Sequence, residues 1–382
     1  MAKAGFKILD SDMHVMEPPD LWQQYIDPAF KDRAPTFAGD PLSHGFANRW
    51  KVEGHVFPAH SETAARTKSL GGRHEHITDR FAEARASRFD APSQVKALDI
   101  EGIDIAVLFR TFGAHVIALD GMDGDLALAI CQAYNNWVAD FCSINPSRLM
   151  GAAQMPMQDV DKAVLEARRV VQDLNMVALV LPSNPVNRRP WYDPYYEPLW
   201  AEAEALGVPI CFHGIHGAYQ EHIGNRFLDS FVVAHAATHP MELMLDLAGM
   251  TCGGAMERHP NLRVGFLEGN SSWLPWWLWR LDEEWEKFGS WEDVKLSQKP
   301  SDYFKDQGFA SIDVDEYLGA HVIEQLGDDN LVLSTDYPHH DSAYPHAVDI
   351  FLSMEGFSRE TRQKVLWDNC ARLYGINVGG RV

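Results

Sequence analysis

Seventeen histidines in 382 residues direct attention to places where imidazole and carboxylate stand together. Asp10-Ser11-Asp12-Met13-His14 is one such place. Side chains alternate along an extended strand, so Asp10, Asp12 and His14 share a face, and Asp12 and His14 can reach one cation. His213 closes the apolar run 209–213, Glu268 closes 262–268 and Asp336 closes 331–336. Imidazole with carboxylate suits Zn²⁺, and also Mn²⁺ or Fe²⁺. Each residue alone has an ordinary explanation. D-x-H recurs by chance, a strand-terminal His is often a hydrogen-bonded core residue, and a strand-terminal Asp often makes a turn or caps a helix. The joint pattern is harder to dismiss, because four or five ligand-type residues end different runs.

Other residues are weighed against the same ordinary roles. His339 and His340 follow Asp336 and are candidates to line a pocket; a loop hydrogen bond is the alternative for His339. Arg110 ends a second apolar run and could clamp a substrate carboxylate, or pair with an acid elsewhere. His235 and His239 fall before a helix expected to start at Met241, where capping or packing explains them. Trp273, Trp276 and Trp277 have helical spacing and are expected to pack on the core. Asp10 is read as a hydrogen-bonding neighbour of the metal pair, with a ligand role as the alternative.

These residues need a scaffold that delivers them to one place. Eight short β-rich runs occur, at 6–12, 105–110, 149–156, 176–181, 209–213, 262–268, 308–312 and 331–336. Amphipathic helical stretches separate most of them, at 124–142, 159–174, 195–206, 241–257, 273–288 and 314–326, with a last one at 358–374. Strands alternating with helices imply βαβ units and a parallel sheet, and eight units imply a (β/α)8 TIM barrel. No Gly-rich nucleotide fingerprint follows the first strand, which disfavours an open doubly wound sheet. Polar residues at the C-terminal strand ends lie on the catalytic face of such a barrel. We read 1–382 as a single barrel domain. The gap between the first two strands is too long for a simple loop, so 15–95 is read as an insertion serving as lid or dimer arm. A helical piece is expected within it at 79–87, and 93–101 is read as a helix feeding the second strand.

Composition bounds the rest. The chain is 46% hydrophobic with net charge −21, so it can bury a large core and repels phosphate backbones; nucleic-acid binding is not expected. No apolar run is long enough for a membrane span, and the N-terminus lacks a signal peptide's apolar region. Five scattered cysteines fit a reducing cytoplasm better than a disulfide framework.

The opening ILDSDMHVMEP (8–18), the segment GFLEGNSSWLPWWLWRLD (265–282) and STDYPH (334–339) resemble the amidohydrolase-related proteins of the ACMSD-like group, the relatives of aminocarboxymuconate semialdehyde decarboxylase. The resemblance implies a distorted (β/α)8 barrel with one divalent metal. It makes Asp12 and His14 the strand-1 metal pair, His213 the strand-5 ligand and Asp336 a metal ligand that also handles a proton. Glu268 stands where decarboxylases of the group often place a catalytic histidine. The first ligand, usually His or Glu, is Asp here. The fourth strand has no Lys, so a carbamylated-lysine bridge between two metals is not supported.

The reading favoured from sequence is a metal-dependent hydrolase. It would act on an ester, thioester, amide or C–C bond through metal-activated water, with Asp336, Glu268 and His339 handling protons. Asp12, His14, His213, Asp336 and Glu268 are the expected metal residues, and Arg110 and His340 the substrate contacts. One divalent ion is expected, zinc first, with manganese or iron as alternatives. The alternative activity is non-oxidative decarboxylation of an aromatic or unsaturated acid; a non-catalytic metal- or ligand-binding barrel ranks last. A small-molecule substrate, a homodimer, no membrane partner and a cytoplasmic location complete the expectation.

Overall fold

The structure is a computed structural model that describes residues 3–37, 50–57, 80–214, 223–227 and 230–376. Eight parallel strands follow one another around a barrel: β1 (Leu9–His14), β5 (Ile105–Phe109), β6 (Leu149–Gln154), β7 (Ala178–Pro182), β8 (Ile210–His213), β9 (Val264–Leu267), β10 (Gly308–Asp313) and β11 (Leu331–Ser334). Strands β2 (Thr36–Phe37), β3 (Trp50–Val52) and β4 (His55–Phe57) form a separate antiparallel sheet that periodicity did not reveal.

The alternation of each barrel strand sorts its side chains into two layers. Leu9, Val107, Phe109, Ala152, Val180, Cys211, Leu267, Phe309 and Val332 fill the interior. Leu108, Leu179, Phe212, Phe266 and Leu333 face the helices in the larger outer core. Such two-sided burial explains why these strands read as nearly unbroken apolar runs.

Closure runs through the residues of interest. The backbone N–H of Asp336 donates to the Asp12 carbonyl at 3.2 Å, His14 N–H donates to Tyr337 O at 2.6 Å, and Ser11 Oγ donates to Leu333 O at 2.5 Å. Joining the last strand to the first therefore seats Asp12, His14 and Asp336 side by side.

Three expectations need correction. The helix expected from Met241 begins at Phe231 and runs to Cys252, carrying Pro240 inside it; a short helix, Ala255–Arg258, follows. Ser230 caps it by accepting from Val233 N–H. Pro240, just ahead of the expected start, lies inside the helix. Second, Trp276 does not pack on the core. Leu274, Leu278 and Leu281 form the buried stripe of helix Leu274–Phe288, and Trp276 lies across from it, 54% exposed. Trp273 and Trp277 flank the stripe, and their indoles donate to Gly269 O and Met244 O. Third, β1 carries an irregularity between Asp10 and Met13, so simple alternation from Asp10 to His14 fails.

Of the 15–95 insertion, residues 38–49 and 58–79 lie outside the described residues. Its described parts are tied to the barrel. Trp22 and Trp50 meet edge to face within the insertion, both buried, while Arg33 reaches out of it to pair with Asp123 at 3.0 Å. Helices Ala82–Ala86 and Ala91–Glu101 stand close to the expected pieces. Arg80 reaches the loop after β11, donating to the carbonyls of His340 and Tyr344.

Candidate metal centre

The ends of β1, β8, β9 and β11 converge. His14 Nε2 lies 3.2 Å from His213 Nε2, 3.5 Å from Asp12 Oδ1 and 3.3 Å from Asp336 Oδ1. Asp12 Oδ1 is 3.3 Å from His213 Nε2. Three of these donors, Asp12 Oδ1, His14 Nε2 and His213 Nε2, lie 3.2–3.5 Å from one another, which matches the edge of about 3.4 Å of a tetrahedron around a cation with ligand bonds of about 2.1 Å; Asp336 stands beside this trio at His14. Asp12 Oδ2 is buried without a hydrogen-bond partner, an arrangement that a cation would relieve. The ring orientations agree. His14 Nδ1 lies 2.9 Å from the Arg110 carbonyl and His213 Nδ1 lies 3.1 Å from Glu268 Oε2. Both rings thus place the proton on Nδ1 and turn the Nε2 lone pair inward. Asp12, His14 and His213 fit one divalent ion, with Asp336 beside His14.

A second layer continues from these four. His339 Nδ1 sits 2.7 Å from Asp336 Oδ1 and 3.6 Å from Glu268 Oε1. Thr111 Oγ spends its proton on Val15 O at 2.8 Å, so at 3.2 Å it accepts from His339 Nε2. An imidazole with an acceptor at each nitrogen is held as the cation. Burial opposes that charge, but the Asp336 and Glu268 carboxylates raise His339 well above the ordinary histidine value. Burial alone would raise the Glu268 carboxyl; His213 and His239 beside it pull it well below the usual range. Burial and the neighbouring His339 charge push His14 down to about 4, which favours the neutral ring that ligates metal.

Two backbone features aim these carboxylates. Glu268 has φ +60° and Asp336 has φ +54°, a left-handed conformation that costs a non-glycine residue roughly 1 kcal/mol or more. Leu267 faces the barrel interior, so strict alternation would send Glu268 to the helix side. The left-handed turn breaks that alternation at the strand end.

The structure brings together Asp12, His14, His213, Glu268, Asp336 and His339. Their donor atoms form two overlapping groups, each within 4.8 Å and sharing His14. Asp10 stays outside as a hydrogen-bonding neighbour: its carboxylate accepts from Asp12 N–H at 3.2 Å and from the Thr335 hydroxyl, and burial pushes it up to about 8. His340 is not brought into the cluster; the adjoining cavity is lined by its neighbour Asp341 instead. Arg110 is buried beside His14, and no acid lies within ion-pair distance of it among the described residues.

Three residues were missed or undervalued. His239, assigned to capping or packing, has Nδ1 3.6 Å from Glu268 Oε2. Helix Phe231–Cys252 can approach that closely because Gly214 and Gly269 follow the two site residues. A Cβ on Gly214 would stand 2.3 Å from His239 Nδ1, and one on Gly269 would stand 2.4 Å from Leu243. Glycine directly after His213 and after Glu268 was the available signal. Asp313 ends β10, one residue beyond the expected run, and lines the cavity. Thr111 had no distinguishing pattern. The cavity has a volume of about 180 Å³ and is also lined by His235, His239, Glu268, Asn270 and Asp336.

Fold and site together define a (β/α)8 barrel with a metal-type cluster at its strand ends, and comparison with known proteins agrees on the fold family. A family model described as amidohydrolase matches residues 10–376, and the chain belongs to that family. It is 25% identical over 304 residues to the 2-amino-3-carboxymuconate-6-semialdehyde decarboxylase of Dictyostelium discoideum, covering 78% of this chain and 80% of the relative. It is 28% identical over 316 residues to the gamma-resorcylate decarboxylase of Rhodococcus jostii (strain RHA1), covering 74% and 90%. Among solved structures, the 5-carboxyvanillate decarboxylase of Novosphingobium aromaticivorans, complexed with manganese and 4-hydroxy-3-methoxy-5-nitrobenzoic acid, superposes with a TM-score of 0.69. That match has 18% identity and covers 98% of this chain and 97% of that one. The named relatives are decarboxylases, which weighs against the hydrolase favoured from sequence and for its alternative.

Proposed function

We propose that this protein is a divalent-metal-dependent, non-oxidative decarboxylase of a single-ring aromatic acid. The observation that carries the reading is the His339 imidazole, whose Nδ1 faces Asp336 and Glu268 at the edge of the metal-type cluster, the two acids themselves lining the cavity. A volume of about 180 Å³ is comparable to the roughly 150 Å³ cavity known to hold benzene. The sequence-based preference for hydrolysis rested on two carboxylates, Glu268 and Asp336, that could serve a metal-bound water as base, and on the absence of a histidine at the end of β9. Two histidines reach Glu268 from elsewhere, His239 from a helix and His339 from the loop after β11, so that side of the site does not lack imidazole.

Asp12, His14, His213 and Asp336 would hold the cation, which when bound supplies a Lewis acid that fixes and polarises a substrate oxygen. The protein's own groups do the rest. The ring carbon gains electrons as the C–C bond to the carboxylate breaks and CO₂ departs. A proton must reach that carbon, and His339 is positioned to deliver it, with Asp336 and Glu268 holding the ring in orientation and the charge in balance. The mixed nitrogen and oxygen donors serve Mn²⁺ as well as Zn²⁺; manganese in the solved relative supports testing it beside the zinc expected from sequence.

The decisive assay offers the metal-loaded protein hydroxybenzoates alongside aryl esters, thioesters and amides. Metal-dependent CO₂ release from a hydroxybenzoate is the expected result. Acyl cleavage without CO₂ would restore hydrolysis. We further infer a homodimer in the cytoplasm; five cysteines without disulfides, four of them buried, support the compartment. No helix among the described residues is long and apolar enough to cross a membrane.

A further inference from the structure

The cavity beside the metal-type cluster is lined by charge of one sign. Glu268, Asp313, Asp315, Asp336 and Asp341 line it; among the described residues its basic groups are the imidazoles of His235 and His239, and no lysine or arginine contributes. β10 lies between β9 and β11, so Asp313 at its end stands on the rim between Glu268 and Asp336. Glu268 and Asp336 have partners. His213 lies 3.1 Å and His339 3.6 Å from Glu268, and a bound divalent ion would balance Asp336 with Asp12. Asp313 has no such relief. Its Oδ2 accepts from the neutral Asn270 amide, and the charges it feels are the acids Glu316, Asp315 and Asp12. Glu316 is spent on the N–H and hydroxyl groups of Ser271 and Ser272. Burial, with Glu316 and Asp315, pushes Asp313 up to about 7, the behaviour of a carboxylate short of a cation. Arg80 feels Asp341 but donates to the carbonyls of His340 and Tyr344. One more group on this wall is unsatisfied: His239 is 8% exposed, and its Nδ1 is buried without a hydrogen-bond partner.

We propose that this wall is a subsite for a cationic nitrogen, which makes the substrate an aromatic acid carrying an alkylammonium group, held by Asp313 with His239 as a second contact and Asp315 and Asp341 at the rim. That the same molecule carries a carboxylate rests on the decarboxylase reading. An ammonium has three donors and needs several acceptors around it, and the wall supplies them while its net charge favours a cation. A neutral phenol would satisfy one oxygen and leave the charge uncompensated, and a second carboxylate would be repelled. An inorganic ion fits less well. No group of three donor atoms within 4.8 Å includes Asp313 among the described residues, so the acceptors are too dispersed to form a coordination shell around one point. A polyatomic cation spans such separations, and its grip on Asp313 serves binding and orientation of the ring.

The test is calorimetric titration of the manganese-loaded protein with 3- and 4-(aminomethyl)benzoate, each beside the ethylbenzoate of the same shape, in which a methyl replaces the ammonium. For the better-fitting isomer we expect the ammonium compound to bind roughly 10–100-fold tighter, the range for hydrogen bonds to a charged partner. Asp313→Asn keeps the acceptor that faces Asn270 and removes the charge; it should bring the two ligands within about threefold while metal content stays at the wild-type level. The double variant Asp315→Asn, Asp341→Asn changes exposed positions that do not support the fold, and should lower the preference by about 2–10-fold, as two solvent-screened charges would. Three results overturn the proposal: no ammonium preference in the wild type, a preference that survives in folded Asp313→Asn, or, should Asp313→Asn fail to fold, a preference unchanged in the double variant. Carbon dioxide release is scored separately. Asp313-dependent ammonium binding with no CO₂ from any acid would sink the decarboxylase reading and keep the subsite; CO₂ release from hydroxybenzoates without any ammonium preference would do the reverse.

Discussion

His14 and His213 carry the heaviest burden in this account, since their Nε2 atoms lie 3.2 Å apart and cannot both bear protons there. Either His14→Ala or His213→Ala should reduce bound metal from about one ion per chain to below about 0.1, read by elemental analysis of purified protein. Full occupancy in both would remove the proposed ligand set. Glu268→Gln separates a charge role from ligation. It should retain the metal and lose roughly 10²–10⁴-fold in kcat, the scale of general acid–base contributions; lost metal would make Glu268 a ligand instead. These residues were legible because each ends an apolar run with a polar group of ligand type. His239 was not. Its contact with Glu268 depends on a helix passing through Pro240, and single-sequence reading takes an interior proline as a boundary. Asp313 was hidden for a smaller reason, a strand boundary placed one residue early.

At the level of elements, the site depends on helix Phe231–Cys252 pressing against the ends of β8 and β9. The two glycines that permit this approach differ from surface turn glycines, because side-chain space rather than dihedral freedom is at stake. Gly269→Ala would place a methyl against Leu243 and the His239 carbonyl. We expect it to cost about 1–3 kcal/mol of stability in denaturant titration, the usual range for overpacking, and to reduce activity by displacing His239. Unchanged stability would mean that the helix is free to move off. Order and type of the barrel strands were readable, since parallel strands buried on both sides leave long apolar runs. The antiparallel sheet β2–β4 was not, because strands of two or three residues are too short for any period to register.

For the whole molecule, a charge of −21 makes cation capture at a carboxylate-rich barrel mouth electrostatically easy and polyanion binding difficult. Association of two copies must therefore overcome like-charge repulsion, which salt screens. Light scattering should find a particle of twice 43.0 kDa at micromolar concentration, with the dimer fraction rising with ionic strength. A monomer at all salt concentrations would contradict the dimer and leave the site within one chain unaffected, since every group named in it belongs to that chain.

The central claim is that a metal held at the β1, β8 and β11 ends enables cleavage of a carbon–carbon bond without water as a reactant. Carbon dioxide release from ring-labelled hydroxybenzoates, with and without an aminomethyl group, in H₂¹⁸O measures this most directly, comparing protein as purified, stripped with a chelator, and reloaded with Mn²⁺ or Zn²⁺. The account requires CO₂ in equimolar amount to the decarboxylated ring, no ¹⁸O in the aromatic product, loss of activity on stripping, and recovery on reloading. Activity that survives stripping, or an aromatic product carrying ¹⁸O, would contradict it.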